Sequence, residues 1–149
     1  MSATTEPSPE LLKATRRDAH PRCVVCGRPG PAALGLEFRL RADGSVTADF
    51  ACAARFEGYG GILHGGVISA IADGAMTNCL FAHGVAAVTA ELEVRFRHPV
   101  CLGSPLTVTA RITRRAEPLF LVEAELAQQG QLKARANGKF MEARGGPRP

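Results

Sequence analysis

Apolar and polar residues change period twice along the chain. From Leu36 to Cys52, LEFRLRADGSVTADFAC alternates on both sides of ADGS, which predicts a hairpin with Asp43-Gly44 in its turn. ARFEGYGGILHGG follows as a glycine-rich connection. From about Gly65 to Phe81 apolar residues recur three and four apart, which predicts one long helix that stops near His83, with Gly84 as its cap. Period two then returns. Ala90, Leu92, Val94 and Phe96 stand against Thr89, Glu91, Glu93, Arg95 and Arg97, and LTVTARITRRAE continues the pattern. PLFLVEAELAQQGQLKARANGKFMEA gives two more strands joined around Gln129-Gly130. A hairpin, one long helix and a run of antiparallel strands predict an α+β fold, a sheet packed on a single central helix.

The rest is framing. Residues 1–22 read as a polar tail or short helix, with PELLKATRR its helical part, and CVVCGRPGPAALG reads as a loop. One domain is expected over 23–143 and a disordered tail over 144–149.

Composition narrows the function classes. A chain of 149 residues fits one domain, which buries roughly 70% of its unfolded surface. No apolar run approaches the ~20 residues that span a bilayer, and the N-terminus has no signal-type apolar stretch. Five cysteines without framework spacing suit a reducing compartment. A soluble cytoplasmic protein with no membrane partner is expected. Net charge is only +4, aromatics are 5%, and no Lys/Arg run exceeds two residues, which argues against nucleic acid. A small anionic ligand fits the charge equally well.

The candidate chemistry lies in GGILHGGVISAIADGAM. On a helix, Val67, Ile68, Ile71, Ala72, Ala75, Met76, Cys79 and Leu80 form one apolar face. Ser69, Asp73 and Thr77 form a polar stripe at its edge, and Ala70 and Gly74 are small enough to let another backbone approach. Asp73 alone could be a solvated helix residue. The Gly65-Gly66 pair at the helix start adds unpaired N–H groups and a positive dipole end. Such a start can hold an oxygen that gains negative charge, within two turns of a carboxylate.

This stretch resembles the hotdog-fold thioesterases of the phenylacetate-degradation type, in which a His-Gly-Gly turn leads the central helix and an acid follows nine residues after the histidine. VRFRHPV with GSPLTVTARI, GQLKARANGKFM, and the upstream CVVCG and GLEFRL are also similar to family segments, so the resemblance covers roughly residues 23–142. It implies an acyl-CoA thioesterase without a metal or other cofactor. In that scheme Asp73 is nucleophile or general base, the Gly66 N–H polarises the thioester carbonyl, and His64 and Gly65 shape the turn. His64 also reaches the carbonyl region. Thr89 matches a water-positioning Ser or Thr and could serve the Asp73 of a partner chain, since the family's sites lie between subunits. A homodimer or homotetramer is implied. Two departures stand out. Gly58 occupies the place of an Asn found in some members, with Glu57 beside it as a candidate substitute, and Gly74 stands where a second acid often follows the first.

Other features have plainer readings. CVVCG with His20 suggests zinc, but a structural site wants four ligands and no second pair exists. The sequence therefore favours a turn with buried thiols and no metal. Cys52, Cys79 and Cys101 read as small buried hydrophobes. Arg95, Arg97 and His98 cluster at one strand end, and Arg111, Arg114 and Arg115 at another. These are either solvated strand ends or sites for coenzyme A phosphates at a pocket mouth, with Arg95, Arg97 and His98 the residues expected to bind substrate. Against the thioesterase stand a non-catalytic acyl-CoA-binding or sensing protein, and a hydratase, disfavoured for want of an Asp/His pair.

Overall fold

A computed structural model describes residues 5–142. Its elements are helix α1 (Pro9–Ala19), strands β1 (Arg39–Leu40) and β2 (Val46–Phe50), a short 3-10 turn (Ala54–Phe56), helix α2 (Gly65–Ala82), and strands β3 (Ala87–Phe96), β4 (Leu106–Ala116), β5 (Leu119–Gln128) and β6 (Gln131–Glu142). The strands form one six-stranded sheet in the order β1-β2-β4-β5-β6-β3, with every neighbouring pair antiparallel. The sheet packs on α2, which is the expected hotdog arrangement. The tail expected from residue 144 onward lies outside the described residues.

The strand alternation is the physical reason for the core. Val46, Ala48 and Phe50, Leu106, Val108 and Ala110, and Phe120, Val122, Ala124 and Leu126 each turn one face of their strand fully inward. Each large side chain so removed from water contributes about 1.5–3 kcal/mol. The turn at Gln129-Gly130 has both residues at positive φ, 50° and 75°, the mirror-image turn that suits a tight hairpin. The predicted hairpin at Asp43-Gly44 also forms, but β1 pairs over only two residues, Arg39↔Thr47 and Leu40↔Val46.

The N-terminal segment is a helix, not a loose tail. Ser8 caps it, its Oγ accepting from the Leu11 N–H at 3.1 Å, and Pro9 sits at its first position, where its missing N–H costs nothing. Leu12 is buried, and the Ser8 N–H donates to the Ala82 carbonyl, which ties α1 to the end of α2.

The helix α2 differs from the expected one-faced amphipath. From Ala75 to Ala82 every residue is buried, Thr77 and Asn78 included, because α1 and the 23–36 segment cover the side left free by the sheet. Gly74 permits this. A Cβ there would lie 2.5 Å from Val25 Cγ1, so what approaches Gly74 is the Val25 side chain and not the backbone expected there. By length and composition α2 could cross a membrane, yet it is 67% buried within the fold, as a core helix should be.

Candidate active site

The polar stripe on α2 is real but mostly spent on the helix itself. Ser69 Oγ donates to the Gly65 carbonyl and Thr77 Oγ1 to the Asp73 carbonyl. Asp73, partly buried, uses its side chain elsewhere: its Oδ1 accepts from Thr89 Oγ1 at 2.7 Å. Both residues belong to one chain, so this pairing needs no partner subunit.

Simple alternation would put Thr89 on the face opposite Leu92, Val94 and Phe96. The structure corrects this. A bulge between Thr89 and Glu91 shifts the register against β6, so that Thr89 pairs with Phe140 while Leu92, Val94 and Phe96 pair with Gly138, Ala136 and Ala134. Phe140, Ala136 and Ala134 are fully buried, and directly opposed residues share a face. Thr89 therefore points toward α2 together with the apolar residues. The bulge re-aims one side chain at the acid.

At the start of α2, His64 is the N-cap. Its Nδ1 accepts from the Gly66 N–H at 2.8 Å, which fixes the neutral tautomer with the proton on Nε2. A Cβ on Gly66 would lie 3.0 Å from that Nδ1, so glycine keeps the cap compact. The N–H expected to polarise a carbonyl is thus occupied by its own histidine. Gly65 packs beneath the Phe96 ring, 3.7 Å from where its Cβ would be, and Gly58 packs on the His64 backbone. A side chain at Gly58, such as the absent Asn, would press directly on His64.

Beside this turn lies a cavity of about 870 Å³, walled by Tyr59, Leu63, His64, Phe96, Arg97 and His98 among others. Glu57 also lines it and accepts from the Gly61 N–H at 2.6 Å, a bond that shapes the glycine loop. Arg95 is not on this wall. It pairs with Arg135 on the outer face of the sheet, the face opposite that of Leu92, Val94 and Phe96, whereas Arg97 lies past the end of β3 at Phe96. The second arginine cluster is at the far end of α2: Arg114 and Arg115 border a smaller cavity with His83, and Arg111 lies 3.6 Å from Glu123.

Three features were not read from the sequence. Gln128, buried, donates to the Cys101 and Ser104 carbonyls and accepts from the Cys101 N–H, which clamps the loop behind His98. Phe96 and Tyr59 supply the cavity's aromatic walls. Asn78 is fully buried and its Oδ1 has no partner among the described residues. A polar residue inside the apolar run of a helix was the available signal for it.

The cysteines divide. Cys52 and Cys79 are buried as expected, and burial pushes the Cys79 thiol up to about 11. Cys101 is exposed, against expectation, because Val100 takes the inward position and alternation turns the next residue out. Cys23 and Cys26 lie together with His20. The Cys26 thiol, by hydrogen bonding, holds the Cys23 thiol down to about 3, and Cys23 in turn pushes Cys26 up.

Comparison with known proteins agrees with this architecture. Residues 60–134 match the sequence profile of the thioesterase superfamily. A protein of Saccharolobus solfataricus, assigned provisionally as an esterase, is 32% identical over 88 residues, 57% of this chain, and the match spans 62% of that relative's length. A Ralstonia eutropha structure described as a phenylacetic acid degradation-related protein is 27% identical, with a TM-score of 0.69 over 88% of this chain and 98% of that one. The Escherichia coli PaaI protein (24% identity, TM-score 0.70, 75% and 82% of the two chains) and a Streptococcus mutans protein bound to acetyl-CoA (21%, 0.68, 76% and 91%) share the fold. The chain belongs to the thioesterase superfamily, as a hotdog-fold protein like those of the phenylacetate-degradation type.

Proposed function

We propose that the protein hydrolyses acyl-CoA thioesters at a site shared by two protomers, with Asp73 as nucleophile or as the base that activates water. The observation that carries this reading is the 2.7 Å hydrogen bond from Thr89 to Asp73 Oδ1. It holds a carboxylate at the edge of the core helix and leaves Oδ2 with no hydrogen bond among the described residues. A carboxylate so oriented can attack the carbonyl or take a proton from water. In the base route the proton taken from water passes to the thiolate as the C–S bond breaks. In the nucleophile route the thiolate leaves first, and water then hydrolyses the acyl-Asp73 anhydride, giving one proton to the thiolate.

The geometry supports a composite site. Gly66 and Asp73 are seven residues apart, about 10 Å along the helix, whereas reacting atoms must come within about 3–3.5 Å. One carbonyl cannot touch both in one chain. The partner subunit's Gly66 can supply the missing N–H if two β3 edges pair. That strand is an open sheet edge, and Leu92 and Phe96 remain 37% and 52% exposed although they face α2. Open apolar edges are normally covered. At the turn, the thioester oxygen displaces His64 Nδ1 from the Gly66 N–H, and the His64 Nε2–H donates nearby. Arg97 and His98, on the cavity wall, take the coenzyme A phosphates. The acetyl-CoA bound by the Streptococcus mutans neighbour supports that ligand class.

Hydrolysis of short-chain, long-chain and aryl CoA thioesters tests the activity. Turnover of at least one is expected; tight binding of all without turnover would leave an acyl-CoA-binding protein, a reading that the capped Gly66 N–H and the missing Asn favour. The solution mass should be that of a dimer or tetramer at micromolar concentration, and a monomer would remove the shared site.

A further inference from the structure

The geometry points to a zinc-class metal site at His20, Cys23 and Cys26, apart from the thioester site. The three side chains converge from the end of α1 and the turn after it, with their donor atoms all within 4.8 Å of one another. Cys26 Sγ is already 3.8 Å from His20 Nδ1. Tetrahedral zinc at ~2.3 Å from sulfur and ~2.0 Å from nitrogen sets its donors roughly 3.5–3.8 Å apart. Small side-chain rotations close the remaining gap.

The backbone is built for thiolate ligands. The Val25 N–H points at Cys23 Sγ at 3.4 Å, and the Gly27 N–H donates to the Cys23 carbonyl at 2.8 Å. A Cβ on Gly27 would lie 2.3 Å from the Cys23 nitrogen, so only glycine lets the Cys-x-x-Cys turn fold this tightly. An N–H aimed at a sulfur supports negative charge there, as surroundings of metal-bound thiolates do. Arg16 secures the turn from outside, its guanidinium donating to the Cys26 carbonyl at 3.0 Å.

A second observation points to an occupant. Asn78 is fully buried, lines the same cavity as Cys26 and donates its Nδ2–H to the Gly74 carbonyl, while its Oδ1 is left without a partner among the described residues. A buried oxygen without a donor costs roughly 1–3 kcal/mol. A water in the fourth coordination position would donate to it. Cys26 and Asn78 line a cavity of about 790 Å³, which provides the path for ion and water. Two thiolates and a neutral imidazole balance a divalent ion, so the arginines on the cavity rim are not repelled. Soft sulfur with one nitrogen selects zinc over magnesium or calcium. The water stands in for the fourth protein ligand that the sequence lacks, and the clamped turn holds Val25, whose Cγ1 presses on Gly74 beside Asp73.

The test is metal analysis of the untagged full chain expressed in zinc-supplemented medium. About one zinc per chain is expected, and less than a tenth of that in Cys23→Ser and His20→Ala. Cobalt added to the stripped protein should give thiolate charge-transfer absorption in the wild type that Cys26→Ser loses. If the variants fail to fold, titration of wild-type thiols with a mercurial should release zinc in step with two thiols. Reduced wild-type protein that takes up neither zinc nor cobalt would overturn the proposal, as would a Cys23–Cys26 disulfide in protein isolated under reducing conditions.

Discussion

The two halves of α2 are made from similar residues and do different work. From Gly65 to Asp73 the helix lies along an open edge: the Phe96 ring over Gly65, a cavity beside His64, and Thr89 reaching Asp73 from a bulged strand. From Ala75 to Ala82 it is sealed on every side. A histidine stands at each end. His64 is exposed and its Nδ1 accepts only from the helix's own Gly66 N–H. His83 is partly buried and locked, with Nε2 against the Gly44 carbonyl and Nδ1 against the Arg115 guanidinium. The difference teaches that access, not residue type, separates the end proposed to react from the structural one. The N-terminal end also carries the positive dipole, where developing negative charge is stabilised.

The largest effects should come from crossing that divide. Asp73→Asn keeps size and helix but removes nucleophile and base, so kcat should fall at least ~10²-fold with folding retained and binding unchanged or tighter. Leu80→Ala, in the sealed half, should do the reverse. It should cost about 2–5 kcal/mol of stability and leave kcat per folded molecule near wild type. Denaturant melts and steady-state rates on both variants check the contrast. Activity of Asp73→Asn within a few-fold of wild type would dissolve it.

Next in size is Thr89→Ala. A residue that orients the carboxylate or its water without moving a proton should cost about tenfold in kcat, with little change in KM. Loss as large as that of Asp73→Asn would make the hydroxyl part of the chemistry.

Much of this contrast was legible in the sequence. The helix appears within a residue of its observed end because Gly84, at positive φ, marks its stop as a left-handed cap does. The link between His64 and Asp73 was carried by the resemblance to the thioesterase family, not by composition or periodicity. Thr89 was named, but its face was hidden, since a one-residue bulge inverts a period-two pattern and leaves no mark in composition. Arg95 was grouped with Arg97 because they stand two apart in one alternating run; β3 ends at Phe96, and Arg97, just beyond it, is the one that lines the cavity. The sealing of the C-terminal half was not legible either: it comes from α1 and Val25, far away in sequence, and the glycine that admits Val25 read as room for a backbone and, against the family pattern, as a missing acid.

Smaller again is the split between the two neighbouring arginines. Arg97 lines the cavity and Arg95 lies on the outer face of the sheet. Arg97→Ala should raise KM for CoA thioesters several-fold and leave thioesters lacking the nucleotide nearly unaffected, while Arg95→Ala should change neither by more than about twofold. Equal effects on both substrate classes would mean that Arg97 supports the fold rather than the ligand.

The smallest effect belongs to the locked end. Burial, with the Arg115 charge added, lowers the His83 pKa below the usual histidine value, partly offset by its bond to the Gly44 carbonyl. As pH falls, the unfolded chain therefore binds this proton before the folded one does. The folded state holds its full advantage above the unfolded value of about 6.5 and loses it as pH falls from there through the lowered folded value. His83→Gln keeps a polar side chain and removes the titration. Between pH 7.5 and 5.5, wild-type Tm should drop by more than that of His83→Gln, and at pH 7.5 the difference between the two should no longer change with pH. Parallel Tm curves across this range would mean that His83 protonates as easily in the fold as outside it. The locked end would then be open to water and protons like the other.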